Sequence, residues 1–454
     1  MFRRLLVANR GEVAVRVART CRRLGISPVA VYSTADAGAG WLSHFDAAVS
    51  IGPGHPGKSY LNQSAVLQAA VQVDAQALHP GWGFLSENAL FATRVQQLGI
   101  AWVGPTPNSI RRMGDKALAR ETVKSLGLPT IPGSDGLLLD AKQARALAES
   151  IGYPVLLKAT AGGGGRGMRV CRSAADVDAA FAAASGEAAA AFGNAGLYLE
   201  KFVERGRHIE FQVMGDRFGK VLHFGERECS VQRRHQKLIE EAPSPVIDRE
   251  TRVRFGAQLC AALSRLGYVG AGTIEMLRAS DGALYFMEMN TRLQVEHPVT
   301  EAICGADLVE LQLRVAAGER LALEQDQIEW SGHAIEARLN AEEVADDFRP
   351  SPGTITRFDL PTDRGPGSVR VETHITAPAE VPPFYDSLVA KVIAHGATRA
   401  DAIATLKKAL ASARIEGVPT SIPAHLAVLD APAFISGQYD TDLLSTLDMS
   451  GKRS

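Results

Sequence analysis

Residues 153–173 read YPVLLKATAGGGGRGMRVCRS, and the element that follows the glycines decides the fold. Four consecutive glycines, Gly162 to Gly165, are costly to order, because glycine loses more backbone freedom on folding than any other residue. A ligand that the backbone must approach closely would offset that cost. Gly162, Gly164 and Gly167 satisfy G-x-G-x-x-G, the dinucleotide fingerprint, which needs a strand before the loop and a helix after it. YPVLLKA supplies the strand. MRVCRS is short, apolar and β-branched and runs into a polar turn, so the spacing predicts a second strand instead of a helix. The glycines then sit at a hairpin tip, where backbone N–H groups can bend over phosphates as a lid. No Gly-Lys-Ser/Thr closes the loop, which excludes a Walker A site. Lys158 ends the strand leading in, and Lys116 in MGDKALAR is a second lysine suited to phosphate. The competing reading is a surface turn with two solvated lysines and no ligand.

Outward from that hairpin the chain divides in two directions. On the N-terminal side, RLLVANRG reads as a buried strand ending at Gly11, EVAVRVARTCRRLG as a helix stopped by Gly25, and SPVAVYS as a second strand. The alternation continues through VDAQALHPGWG and QQLGIAWVGP to about Arg112, the pattern of a doubly wound parallel sheet. GLPTIPGSDG and RPSPGTITRFDLPTDRGPG read as linkers, and the Ala-rich stretch near 174–191 as an exposed helix without function. At 454 residues the chain is long enough for about three domains. A net charge of −1 gives no broad field for nucleic acid or membrane, and no run reaches the length of a membrane span. Five scattered cysteines without a C-x-x-C pair argue against zinc and disulfides and fit a reducing, cytoplasmic setting.

The chemistry concentrates in GTIEMLRASDGALYFMEMNTRLQVEH, residues 272–297. Two alternating apolar runs flank Asp281-Gly282, a strong hairpin signal. With those two residues as the turn, Glu275 lies opposite Glu288; a longer turn would shift the pairing. Facing carboxylates repel, and a divalent cation with oxygen ligands, Mg²⁺ or Mn²⁺, would remove the repulsion. In an extended chain Glu288, Asn290, Arg292, Gln294 and Glu296 all point one way. That row offers metal ligands (Glu288, Asn290), an anion clamp (Arg292) and a general base (Glu296); the alternative is a solvated face. In RHIEFQV, His208, Glu210 and Gln212 share a face. GERECSVQRRHQKLIEEAP gathers basic groups around Gln232, His235 and Lys237, which suits a small anion. It lacks the interleaved aromatics of a nucleic-acid surface. Arg338, in HAIEARLN, is placed only on a strand.

Together ANRGEVAVR, HPGWGFLSEN, MGDK, KATAGGGGRGM, RHIEFQV, GERECSVQRRHQKLIEEAP, EMNTRLQVEHPVTE and YDSLVAK resemble the biotin carboxylases of the ATP-grasp superfamily, over residues 8–391. The resemblance implies an N-terminal parallel-sheet domain (1–112), an ATP-grasp domain (113–325, with a lid at about 131–203) and a C-terminal mixed β domain (326–447). It implies that MgATP and bicarbonate form carboxyphosphate, which supplies CO₂ to biotin on a carrier protein. This is the first half-reaction of an acetyl-CoA or other acyl-CoA carboxylase, or alternatively of a urea- or pyruvate-type carboxylase. By the same resemblance Glu275, Glu288 and Asn290 hold the metal. Lys116, Lys158, Gly164, Gly165, His208, Gln232 and His235 contact nucleotide, and Glu200, Lys201, Phe202 and Val203 form the adenine hinge. Lys237, Arg292, Gln294 and Val295 bind bicarbonate, Glu296 is the base, Arg338 stabilises the biotin enolate, and Trp82 lies at the biotin mouth.

The implied partners are a biotin carboxyl carrier protein and carboxyltransferase subunits. With no Ala-Met-Lys-Met acceptor in the sequence, biotin is expected to arrive on a separate protein or on a further part of a larger enzyme. Four positions depart from the pattern: Ala161 replaces a fifth glycine, Trp82 a tyrosine, Arg23 a glutamate beside Arg19, and Gly367 an aromatic. The last two count against the familiar homodimer. Competing functions are another ATP-grasp ligase, a nicotinamide oxidoreductase, and a non-catalytic ATP-sensing subunit.

Overall fold

The computed structural model describes residues 1–159, 168–192, 196–362 and 367–449. The first five strands, β1 (Arg4–Val7), β2 (Ser27–Tyr32), β3 (Ala47–Ser50), β4 (Ala77–His79) and β5 (Ala101–Trp102), form a parallel sheet in the order β3-β2-β1-β4-β5. β1 stops at Val7, four residues short of Gly11, which opens helix α1 (Gly11–Arg23). Order reverses between β1 and β4, so the loops at their carboxyl ends meet in a crevice, the usual ligand position in such sheets. Asn9 Nδ2 bridges it, donating to the carbonyls of Pro80 (2.7 Å) and Trp82 (2.8 Å). Gly81, at φ +66°, is required there, since a Cβ would meet Asn9 Nδ2 at 2.7 Å.

The two strands that flank the glycines pair as a hairpin. β6 (Val155–Ala159) pairs antiparallel with β7 (Met168–Cys171), Lys158 opposite Met168, and β8 (Leu197–Lys201) flanks β6 on the other side. A strand follows the glycines, so the nicotinamide reading fails on topology. Residues 160–167, with Ala161, Gly164 and Gly165, lie outside the described residues. Two expectations need correction here. The Ala-rich helix Ala174–Phe192 is not merely exposed: Val177, Ala184 and Ala188 are completely buried against this small sheet, in a core of its own. Small side chains at helical spacing can make a packed face without looking apolar enough to announce it. GLPTIPGSDG is also more than a linker. Its backbone is zipped along β8, with Lys201 N–H donating to Pro132 O (2.7 Å) and Ser134 N–H to Leu199 O (2.8 Å).

Beside three two-stranded sheets, the remaining strands form one antiparallel sheet of eight. It runs β13 (Leu284–Asn290), β12 (Gly270–Arg278), β9 (Arg207–Gly215), β10 (Val221–Arg233), β11 (Gln236–Ala242), β14 (His333–Asn340), then Leu388–Gly396 and Ser368–Thr373. Because β11 pairs with β14, the central and C-terminal parts of the chain share a continuous surface. Helix His297–Cys304 packs over that surface, burying Val299 and Ile303 against Ala242, Ala334 and Ile393.

Several histidines serve this packing in neutral form. His79 ends β4, His223 stacks on Trp330 at 5.6 Å, and His425 Nε2 lies 2.6 Å from the carbonyl of Arg338. Burial is the largest cause in each, and it pushes all three down to about 4. In the unfolded chain they titrate near 6.5, so below that pH the unfolded state binds more protons. Their contribution is therefore complete above about pH 6.5 and is lost as pH falls toward 4, each costing about 2 kcal/mol by pH 5. Urea unfolding at pH 7.5 and pH 5 should show a large drop in midpoint. A midpoint independent of pH over that window would contradict the neutral-histidine assignment.

Candidate active site

Glu275 does face Glu288, but by a different route from the one the sequence suggested. The turn is not the two residues Asp281-Gly282. Ala279 N–H donates to Ala283 O at 2.8 Å, leaving a three-residue loop, Ser280 to Gly282, with Gly282 at φ +89°. That shifts the pairing by one, so Met276 lies opposite Phe286. A bulge at Met287, which is exposed, then restores it, so Glu275 pairs with Glu288 and Thr273 with Asn290. The one-residue errors cancel. The polar row also needs revision. β13 ends at Asn290, and Arg292, Gln294 and Glu296 lie in a turn leading to helix His297–Cys304, with Glu296 as its N-cap residue. They converge on the carboxylates through that turn and not through strand alternation.

On β9, His208, Glu210 and Gln212 do share a face, and all are buried. A second bulge, at Leu238, decides what stands beside them. Val231 pairs with Ile239 and Gln232 with Lys237, so Leu238 is extra. Leu238 and Ile239 both enter one apolar cluster, which turns Lys237 onto the same face as Glu240. The Lys237 ammonium then meets three carboxylates: Glu210 at 2.7 Å, Glu275 at 3.0 Å and Glu296 at 2.7 Å. Three N–H donors are matched by three acceptors. Burial opposes the ammonium charge, but Glu210, Glu296 and Glu275 outweigh it and hold Lys237 well above its ordinary range.

Charges alternate through the remainder of the site. Arg338 donates from Nη2 to Glu296 at 3.0 Å and from Nε to Glu240 at 2.6 Å. Arg292 is clamped by three elements: Nε to Glu87 (3.0 Å), Nη2 to Asn290 Oδ1 (2.8 Å) and Nη1 to Gln294 Oε1 (2.9 Å). Gln294 and Asn290 both donate to Glu275 Oε1, at 3.1 and 2.8 Å, and His208 Nε2 lies 3.0 Å from Glu275 Oε2. Burial raises the Glu275 carboxyl, but Lys237 and His208 hold it well below its usual range; burial and then the Glu275 charge push Glu288 upward. The carboxylate pair is thus short of positive charge on the Glu288 side. Oxygen donors at that point suit Mg²⁺ or Mn²⁺: Glu288 carries the uncompensated charge, Glu275 lies opposite it in register, and Asn290 Oδ1 accepts from Arg292.

The residues expected from the sequence to meet nucleotide are spread over several elements. Lys158 donates to Glu200 at 2.6 Å, and Arg120 also bonds Glu200. Lys116 opens the exposed face of helix Lys116–Ser125, and its charge is felt at Glu288. Gln232 lies opposite Lys237 at the end of β10. Lys201 turns away, donating to Gly152 O and Tyr153 O at 2.9 Å each, and Phe202 N–H bonds Pro154 O at 3.0 Å; Val203 follows, half-buried. His235 sits with Arg234 at the exposed β10–β11 turn, both at positive φ, and makes no contact with the carboxylate cluster among the described residues. Trp82 donates to Glu12 at 3.0 Å. Glu12 lies 3.0 Å from Lys391, and Lys391 donates to Val295 O at 2.8 Å, tying the crevice wall to the turn that carries Arg292.

Arg227, Glu87, Glu240 and the full part of Glu210 come into view only in the structure. Arg227 lies opposite Glu210 in register, completely buried. Glu87 sits inside HPGWGFLSEN, where only its distance in sequence hid its partner, Arg292. Arg23 has partners within the chain, Asp307 at 2.6 Å and Glu310 at 2.7 Å, while Arg19 is held by Glu372 at 3.0 Å.

A parallel sheet joined to a hairpin whose strands flank the glycine run, and a sheet face of opposed carboxylates and cations, define an ATP-grasp ligase. Residues 1–110 match the family described as "Biotin carboxylase, N-terminal domain", 115–324 "Carbamoyl-phosphate synthase L chain, ATP binding domain", and 336–446 "Biotin carboxylase C-terminal domain". Biotin carboxylase of Nostoc is 51% identical over 447 residues, 98% of this chain and 99% of that one. The biotin carboxylase domain dimer of Hydrogenobacter thermophilus 2-oxoglutarate carboxylase, solved with MgADP, ADP and bicarbonate, superposes with a TM-score of 0.90 at 46% identity, covering 98% of each chain. The Campylobacter jejuni biotin carboxylase–β-γ-ATP complex gives 0.91 at 44%, covering 98% of this chain and 99% of that one. The chain belongs to the biotin carboxylase family and is an ATP-dependent ligase. Among the described residues no helix is long and apolar enough to cross a membrane.

Proposed function

We propose that this chain uses ATP and bicarbonate to carboxylate biotin borne on a carrier protein, with a carboxyltransferase completing the transfer to an acceptor. The observation that carries this reading is the Lys237 ammonium shared among Glu210, Glu275 and Glu296, with Arg292 and Arg338 at its two sides. Such a set can hold a small oxyanion between cations while an ionised carboxylate waits for its proton. Arg292 and Lys237 position bicarbonate, with Gln294 and Val295 lining its pocket. Glu296 accepts the bicarbonate proton, so that the remaining oxyanion can attack the γ-phosphate of ATP. Arg338 faces the biotin ring and stabilises negative charge on its oxygen, an oxyanion-hole role. Lys116, Lys158 and His208 serve the phosphates, and residues 200–203 the adenine. Glu275, Glu288 and Asn290 hold the divalent cation, which when bound offsets phosphate charge. Trp82, pinned to Glu12, forms one wall of the biotin entrance.

The chain pairs as a homodimer in this reading, since a related domain was solved as one. Arg23, engaged with Asp307 and Glu310, is then not free to make a bridge across it.

The test is ATP hydrolysis by the purified chain with Mg²⁺. Turnover should depend on bicarbonate and rise by about tenfold when free biotin is added, because biotin consumes the intermediate. Hydrolysis indifferent to both bicarbonate and biotin would overturn the proposal in favour of another ATP-grasp ligase.

A further inference from the structure

Glu240 on β11 and Glu336 on β14 are directly opposed in register, and both are completely buried. Like charges at such positions repel. Arg338, on the same face of β14, bonds Glu240 through Nε at 2.6 Å and again through Nη2, and that same Nη2 lies 3.0 Å from Glu296. The second oxygen of Glu240 and both oxygens of Glu336 have no hydrogen-bond partner among the described residues.

The neighbouring cations are already committed. Lys391, on strand Leu388–Gly396, lies 3.0 Å from Glu12 and donates to Val295 O at 2.8 Å. Lys237 is saturated by Glu210, Glu275 and Glu296. Arg338 serves two carboxylates; of the helix His297–Cys304 that covers this face, Glu296 at its start is negative, His297 Nδ1 lies 2.8 Å from Gln294 O, and Glu301 is engaged by Arg16 and Arg370. Glu336 is left with no cation of its own among the described residues. An ionised carboxylate without partner in such a place is far costlier than a neutral acid. Burial, the largest cause for both, accordingly pushes Glu240 up to about 7 and Glu336 well above the carboxylate range.

We propose that Glu240 and Glu336 work as one acid pair holding a single proton behind Arg338. The pair anchors the guanidinium through Glu240 without surrounding it by a third negative charge. Both are positioning residues: they act on the biotin-side step only through Arg338, and so rest on the role given above to that arginine. When the proton leaves at high pH, the added charge draws Arg338 back toward the sheet and weakens its hold on the developing biotin oxyanion.

The first test does not depend on activity. Infrared spectra of the intact chain at pH 7.5 should contain the carbonyl band of a protonated carboxylic acid, and Glu336→Gln should remove it. Absence of the band from the parent chain, or its persistence in the variant, overturns the pair. The second test is the pH profile of kcat/KM for free biotin. The parent should decline at alkaline pH, and at about pH 9.5 Glu336→Gln should exceed it by about threefold or more, since an amide cannot ionise. Identical alkaline limbs would overturn the proposal. Glu240→Gln should lower kcat by about tenfold with KM for ATP unchanged, the mark of lost oxyanion support and not of unfolding. A parent chain with no biotin-stimulated turnover would count against the enzymatic reading above, while the infrared band would still decide the pair.

Discussion

Glu296→Gln is expected to lower bicarbonate-dependent ATP turnover by about 10³-fold, within the range that loss of a general base produces, while nucleotide affinity stays near that of the parent. The side chain is completely buried, and its two oxygens are divided between Lys237 at 2.7 Å and Arg338 at 3.0 Å. Burial alone would favour the neutral acid, but Lys237, Arg338 and Arg227 outweigh it and hold the carboxyl well below its usual range. Glu296 is thus ionised at every working pH. Such a carboxylate is a weak base, so the same cations must also make the bicarbonate proton easier to remove. If bicarbonate takes over contacts of Lys237 and Arg292, Glu296 loses part of its counter-charge and gains basicity as it is needed. Glutamine preserves volume and removes both the charge and the acceptor capacity for a proton. Steady-state ATPase assays and calorimetric titration of ATP separate the two properties. Full turnover in the variant would mean that another group takes the proton; loss of ATP binding alongside turnover would make the residue structural.

Arg227 carries the largest expected effect on stability. It lies on β10 under the site, and four hydrogen bonds fan out from it: Glu210 at 2.5 Å, Gln212 and Thr300 at 2.9 Å, and Thr273 at 3.2 Å. These partners come from β9, β12 and the covering helix. Replacement by Ala leaves Glu210 with Lys237 alone, empties the space beneath the helix, and removes the charged donor from Gln212, Thr273 and Thr300. Breaking a buried ion pair from one side costs about 3–5 kcal/mol, to which the cavity adds. The variant is expected to unfold at markedly lower urea or to accumulate insoluble. Arg227→Met, which refills the volume without the charge, should recover part of the packing and none of the Glu210 pairing. If Arg227→Ala melts like the parent, the arginine is not the hub its contacts describe.

Much of this was readable in the chain. The fold class followed from short-range pattern, because a strand directly after the glycines rules out a dinucleotide turn. The face of β9 followed from alternation, which holds as long as a strand stays regular. Alternation failed wherever the backbone was irregular. Asp281-Gly282 suggested a two-residue turn, and the three-residue turn went unseen because its error was cancelled by the bulge at Met287. Arg292, Gln294 and Glu296 were grouped correctly for a reason that did not apply, since β13 ends at Asn290. His235, near Lys237 in sequence, lies at the exposed turn between β10 and β11, where Arg234 and His235 both have positive φ.

By itself the sequence determined which residue types carry chemistry, that the glycines join two strands, and that the central carboxylates lie on a hairpin. These depend on local preferences that act over a few residues. Only the tertiary structure decided that the bulge at Leu238 turns Lys237 toward Glu210, Glu275 and Glu296, that Glu87 reaches from the turn after β4 to hold Arg292, and that Glu336 faces Glu240 without a cation to spare. Each of those contacts joins residues tens to hundreds of positions apart. Which of them meet is set by strand order, register and the packing of one helix over the sheet, none of which leaves a periodic trace in the chain.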